Sequence, residues 1–198
     1  MKPNRPLNLL ALNGSLRNGS FNGMVFACVK ALAPPALTIK ITSCAGIPLY
    51  CEDLEKTCWP DAVLTLAQRI READGILIAS PEYNFSISGV LKNTLDWLSR
   101  LPRQPFANKP VAVLSATQGA FGGARHQYEL RKILGALDAR TLPRPEVLIG
   151  HCHTKFDADG QLSDDQTRST LEAWLAAVSD WVALLSINQE QRCKGDIP

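Results

Sequence analysis

Five short segments, residues 7–12, 37–41, 75–79, 111–116 and 147–149, read as apolar runs without polar alternation. A strand with one face in water alternates apolar and polar residues. Runs that do not alternate predict strands covered on both faces, the condition of a parallel sheet. Between them, apolar residues recur at helical spacing: Val25, Val29 and Leu32; Val63, Leu66, Ala67 and Ile70; Leu91, Leu95 and Leu98; Leu130, Ile133, Leu134 and Leu137. A last helix over about 166–185 carries Leu171, Trp174, Leu175, Val178 and Val182. This alternation of strand and helix predicts a doubly wound sheet with helices on both faces.

The 198 residues suit one domain, expected over 1–187, with a polar tail over 188–198 expected to fray. Five strands and five helices in that length fit a flavodoxin-like three-layer sandwich, with a five-stranded parallel sheet of order 2-1-3-4-5.

Composition removes several function classes. The net charge of +2, from 21 basic and 19 acidic residues, is too balanced for a general nucleic-acid binder. No apolar run reaches the ~20 residues of a membrane span, and residues 1–6 are too polar and short for a secretion signal, so no membrane insertion is expected. Six cysteines form no CxxC pair and read as reduced thiols of a cytoplasmic protein. His151-Cys152-His153 has only His126 as a further histidine, too few ligands for zinc, so it reads as a loop and no metal is expected.

In such sheets a ligand binds beyond the carboxyl ends of the strands, where strand order reverses, so the loops after strands one, three and four should carry the chemistry. The first contains Ser15, Leu16, Arg17, Asn18, Gly19, Ser20, Phe21 and Asn22, with neither GxGxxG nor GK[ST]. Two hydroxyls, loop amides and one guanidinium at a helix N-terminus suit a phosphomonoester. The same residues also suit an ordinary turn with Ser20 as helix cap. The second loop, Pro81, Glu82, Tyr83, Asn84 and Phe85, offers aromatic walls and amide partners for a flat ring system. The third contains Ser115, Thr117 and Gly119, and its glycines let backbone approach a flat ligand closely.

At these residues the chain resembles the NADPH-dependent FMN reductase family, within it the bacterial chromate, quinone and azo-dye reductases. The matching motifs are Gly14-Ser15-Leu16-Arg17 with Gly19-Ser20-Phe21-Asn22, Pro81-Glu82-Tyr83-Asn84 running into Leu91-Lys92-Asn93-Thr94-Leu95-Asp96-Trp97-Leu98-Ser99-Arg100, and Gly122-Gly123-Ala124-Arg125. The resemblance implies FMN, its phosphate held by residues 15–22 and its ring by Glu82, Tyr83, Asn84 and Phe85, with Ser115 and Thr117 lining the third loop. It implies hydride passing from NADPH or NADH through FMN to a small acceptor, a quinone, azo dye, chromate or free flavin, and a homodimer or homotetramer. Ser88 stands where the family usually has proline and is expected to loosen the loop after Phe85.

Because a flavin carries the redox chemistry, no catalytic side chain is expected, and Glu82 is expected to make a structural contact. The rival readings are a flavodoxin-type electron carrier, which is usually strongly acidic, and a flavin-free regulator. Three finer expectations follow. The apolar helix over 89–100, with Trp97, should meet another subunit; Arg125, Arg100 or Arg103 should meet a 2′-phosphate; and the helix opened by Gly122-Gly123 should point its positive end at the ring.

Overall fold

The computed structural model describes residues 5–195. Its strands are β1 (Leu7–Asn13), β2 (Leu37–Ser43), β3 (Gly75–Ala79), β4 (Pro110–Ala116), β5 (Arg140–Thr141) and β6 (Val147–Ile149). Its α-helices are α1 (Phe21–Leu32), α2 (Glu52–Thr57), α3 (Asp61–Glu72), α4 (Gly89–Ser99), α5 (Ala124–Ala136) and α6 (Asp165–Gly195). All pairings are parallel and the order is β2-β1-β3-β4-β5, with β6 also on β4. This is the flavodoxin-like order expected from the pattern.

Every residue of β3 and β4 is buried, which is why their sequences do not alternate. Successive side chains enter opposite cores. Leu9, Ala11, Leu77 and Leu114 meet Phe26 of α1 and Trp174 and Val178 of α6. Leu10, Leu12, Ile76 and Val113 meet Ile70 of α3, Leu91 of α4 and Leu130 of α5. Each fully buried aliphatic contributes roughly 1.5–3 kcal/mol, so the two cores, more than helix propensity, hold the layers together.

Besides the short helix α2, which the helical spacings do not predict, four features differ from the sequence expectation. The edge strand β2 does alternate: Leu37 and Ile39 are buried, while Thr38 and Lys40 are exposed. The fifth strand is split, β5 pairing with Pro110 and Val111 and β6 with Leu114 to Ala116. Between the halves lie Pro143 and Pro145, which have no N–H for a ladder. Helix α6 runs on to Gly195, through most of the expected tail, because residues 186–194 contain neither glycine nor proline and polarity alone does not end a helix. Residues 196–198 of that tail lie outside the described residues.

The fourth difference concerns Trp97. It is fully buried, edge-on to Tyr50 and Trp59 at 5.1 and 5.6 Å, and its Nε1–H donates to the Pro48 carbonyl at 2.8 Å. The chain's own residues 48–59 therefore cover the face of α4 expected to meet another subunit. No helix among the described residues is long and apolar enough to cross a membrane.

Candidate functional site

Asn13 pairs with Ala79, and Ala79 with Leu114, so β1, β3 and β4 end side by side and their loops share one end of the sheet. The loop after β1 is a chain of short-range bonds. Asn13 Oδ1 accepts from the Ser15 N–H at 3.1 Å, Ser15 Oγ from the Arg17 N–H at 3.3 Å, and the Arg17 carbonyl from the Ser20 N–H at 3.1 Å. Ser20 occupies the N-cap position of α1, yet its hydroxyl makes no cap bond. The first bond of the helix runs from the Met24 N–H to the Ser20 carbonyl, and the amides before it have no partner within the helix. An unused hydroxyl thus stands beside unused amides, which fits a phosphate and departs from the capping alternative.

Asn22 behaves differently from the expectation. Its Nδ2–H donates to the Ala116 carbonyl and its Oδ1 accepts from the Ala116 N–H, so both ends of the amide are taken. Arg17 is exposed, with its guanidinium carbon 5.5 Å from the Phe21 ring. Leu16, Asn18 and Gly19 form the exposed tip of the loop.

The loop after β3 carries a tight turn in which Tyr83 and Ser86 exchange N–H···O bonds of 3.0 Å. Asn84 and Phe85 occupy its centre at φ +50° and +66°, the pattern of a type I′ turn. Left-handed backbone costs a residue with a β-carbon about 1–3 kcal/mol, and such strain concentrates at ligand sites. The turn leaves Tyr83 and Phe85 exposed. Ser88, at the loop's end, donates to the Gly14 carbonyl at 2.6 Å and accepts from the Leu91 N–H at 3.3 Å as N-cap of α4. The residue expected to loosen the loop instead ties it to the first loop. Gly14 is obligatory there, since a β-carbon would sit 2.9 Å from Ser80 Cβ.

The loop after β4 turns through Gly122 and Gly123, at φ +59° and +87°. A β-carbon on Gly122 would approach the Leu148 carbonyl carbon to 2.5 Å. Ser115 is buried beneath this loop: its Oγ–H donates to the Gly122 carbonyl at 2.5 Å and its Oγ accepts from Gln127 Nε2 at 2.8 Å. The Gly119 carbonyl accepts from the His151 N–H at 3.2 Å. Glu82 reaches across from the second loop, and its Oε2 accepts from the His126 N–H in the first turn of α5 at 3.2 Å. The positive end of α5 is thus answered by a carboxylate of the chain itself. His126 is buried and its pKa is pushed below the usual histidine range, chiefly by desolvation.

These loops enclose an open cleft of about 170 Å³, lined by Ser15, Arg17, Ser20, Phe21, Asn22, Pro81, Glu82, Tyr83 and Thr117, with Ala116 and Gln118 added by the structure. Larger hollows open elsewhere, but only here do the three strand-end loops converge. Of the cations considered for a 2′-phosphate, Arg100 is engaged with Glu55 at 3.0 Å. Arg103 lines a groove with Lys109, which precedes β4, at the opposite end of the sheet. Arg125 stays beside the cleft, 3.7 Å from Glu82. The segment after β6, expected as a loop, forms a short 3-10 helix over Cys152–Thr154; the His151 and His153 rings lie 6.3 Å apart there, and no group of three metal-ligating side chains gathers among the described residues.

A family model described as NADPH-dependent FMN reductase matches residues 7–154. The chain is 45% identical over 179 residues to an NAD(P)H-dependent FMN reductase of Pseudomonas aeruginosa, covering 90% of this chain and 97% of that protein. It is 44% identical over 184 residues to the quinone reductase of Escherichia coli K12, covering 91% and 98%. Among solved structures it is similar to FerB, a flavoenzyme NAD(P)H:acceptor oxidoreductase from Paracoccus denitrificans. There the TM-score is 0.81 at 31% identity, covering 89% of this chain and 97% of FerB.

Proposed function

Because the chain belongs to the NADPH-dependent FMN reductase family, we propose that the cleft at the ends of β1, β3 and β4 holds FMN and serves two-electron reduction of quinones and related small acceptors, azo dyes, chromate or free flavin. As a member it is an oxidoreductase that uses FMN and takes hydride from NAD(P)H. The observation that carries the site assignment is the uncapped Ser20 hydroxyl at the open N-terminus of α1, facing the aromatic turn of the second loop across one cleft.

When bound, FMN supplies the acceptance and release of hydride. Ser15, Ser20 and the first-turn amides of α1 donate to its phosphate, and Arg17 adds charge. Pro81, Tyr83, Asn84 and Phe85 wall the ring, with the backbone around Thr117 and Gly119 opposite. Glu82 holds the second loop to α5, and no side chain acts as nucleophile.

The reading extends to a homodimer or homotetramer working in the cytoplasm. Supporting assembly, Leu49 is 83% exposed on a loop clamped to α4 by the Asn93 side chain, which accepts from the Tyr50 N–H and donates to the Pro48 carbonyl. A rigid apolar point of that kind suits a second copy, and light scattering should return at least twice the chain mass. Supporting the compartment, Cys51 and Cys58 are exposed free thiols.

The test is to load purified protein with FMN, add NADPH or NADH without oxygen, then add a benzoquinone. The flavin band should bleach and return, and turnover should need no second protein. Failure to take up FMN refutes the site, whereas bleaching without transfer to the quinone leaves an electron carrier.

A further inference from the structure

Strand β2 ends the sheet order, with β1 on one side and no described strand on the other. The Leu7 N–H donates to the Ala36 carbonyl, so Ala36, Thr38 and Lys40 turn their main-chain groups toward β1. Leu37, Ile39 and Ile41 turn theirs to the outer edge. Leu37 spends its N–H there on the Pro34 carbonyl. At Ile39 and Ile41 the edge groups have no main-chain partner among the described residues, and Ile41 is 44% exposed.

An open hollow of about 720 Å³ runs along this edge, and its lining includes Ile39, Ile41, Lys30, Lys40, Arg69 and Glu72. None of its residues lines the cleft. Lys40 pairs with Leu10 and shares its face, the face covered by α3, which supplies Arg69. Ile41 lies on the opposite face with Ile39 and α1, which supplies Lys30. All three cations are exposed, and none makes an ion pair or side-chain hydrogen bond with a described residue. Glu72, the carboxylate in the lining, accepts from Gln68 Nε2 at 2.7 Å. In a chain whose net charge is only +2, unpaired positive charge is thus concentrated beside an unpaired strand edge.

We propose that the β2 edge takes up an extended acidic segment of another protein as an additional strand. The segment's main chain pairs with Ile39 and Ile41, its carboxylates lie over Lys40 and Arg69, and its apolar side chains lie over Ile41. A second copy of this chain does not fit the edge. Antiparallel pairing of two β2 edges through Ile39 and Ile41 sets the two Lys40 side chains directly opposite each other, and like charges so placed are destabilising. Lysine on an edge strand excludes self-pairing by this route, and the same charge admits an acidic strand. Nucleic acid would supply negative charge but no main-chain ladder.

The experiment follows the fluorescence anisotropy of a labelled heptapeptide alternating valine and glutamate, added to FMN-loaded protein at low salt. A heptapeptide alternating valine and lysine is the control. The acidic peptide should bind saturably and the basic one should not. Lys40→Glu should weaken the acidic peptide about ten-fold. Ile41→Pro should weaken it about five-fold, because proline deletes an edge N–H that β1 does not use. FMN affinity should stay unchanged in both variants, and hydrogen exchange of the Ile41 amide in the wild type should slow when the peptide is bound. If Ile41→Pro lowers FMN affinity, the exchange measurement decides. Absence of saturable binding, binding that survives Lys40→Glu, or an Ile41 amide that exchanges no more slowly overturns the proposal. So does an oligothymidylate that binds as tightly as the acidic peptide and competes with it, which makes the edge a general anion surface.

Discussion

Asn22 and Ala116 are joined by a reciprocal pair of hydrogen bonds, 3.1 Å from Asn22 Nδ2 to the Ala116 carbonyl and 3.0 Å from the Ala116 N–H to Asn22 Oδ1. A primary amide has the donor and acceptor of a peptide group, so Asn22 pairs with the last residue of β4 as a neighbouring strand would. The first turn of α1 is thereby pinned to the end of β4. Two walls of the cleft are set by a side chain whose polar atoms are not offered to a ligand.

Replacing Asn22 by aspartate keeps the shape and turns a donor into an acceptor facing the Ala116 carbonyl. Leaving that buried carbonyl unpaired should cost about 1–3 kcal/mol, more if the carboxylate stays ionised. Urea unfolding of apo-protein at pH 7 should show the lowered midpoint, with FMN affinity falling alongside. An unchanged midpoint would mean that the pair carries no load.

The contrast between Asn22 and Ser20 shows where sequence reasoning stops. Both lie in one motif and both are suitable phosphate donors, but Asn22 is claimed by a backbone group 94 residues away and Ser20 is not. Tertiary partners decide this, as they do for Ser115 and Ser88, and local spacing carries no trace of them. Strands β3 and β4 were legible because burial on both faces leaves an unalternating run. Helix α2 buries none of its residues, so it has no apolar period; its remaining signal is the acidic first turn of Glu52, Asp53 and Glu55. Strand β5 is two residues long and leaves no pattern to read.

Glu82 offers a second prediction. Its carboxylate sits at the positive end of α5 and lines the cleft. Glu82→Gln keeps an acceptor for the His126 N–H and loses the charge, so stability should drop by only about 0.3–1 kcal/mol, the scale of a helix-end charge. Removing a negative charge beside the cofactor should raise the reduction potential of bound FMN, because electrons then enter a less negative site. Equilibration with redox dyes measures the direction. A potential that falls would place the carboxylate's influence elsewhere.

His126 supplies a pH dependence. Its Nδ1 lies 2.8 Å from the Gly123 carbonyl, and Nε2 is buried without a partner. Desolvation lowers its pKa below 6.5 in the fold. Above about pH 6.5 the ring is neutral folded and unfolded, and contributes no slope. Below it the unfolded chain binds the proton and the folded protein does not, so stability falls as pH drops toward the folded-state pKa, by at most about 1.4 kcal/mol per pH unit. His126→Asn retains a donor near Gly123 and removes the titration. Unfolding free energies between pH 7.5 and 5.5 should decline more steeply in the wild type; equal slopes would remove His126 as the cause.

Arg17 gives the sharpest prediction. With the Asn22 amide committed to Ala116, the loop is left with the hydroxyls of Ser15 and Ser20, the first amides of α1 and one full positive charge. A charge-assisted hydrogen bond contributes roughly 1.5–3 kcal/mol, about twice a neutral one. Arg17 is exposed, which places its contribution at the lower end of that range. Arg17→Ala should therefore weaken FMN binding about ten-fold or somewhat more, since each ~1.4 kcal/mol is a factor of ten. Riboflavin, which lacks the phosphate, should bind the wild type weakly and be nearly indifferent to the substitution. Excess FMN should restore turnover, because the guanidinium anchors the cofactor and does not touch the transferred hydride. Fluorescence titration of apo-protein with both flavins separates the outcomes. Equal losses for FMN and riboflavin would make Arg17 a structural residue, and the phosphate would then have to be held by Ser15, Ser20 and the helix amides alone.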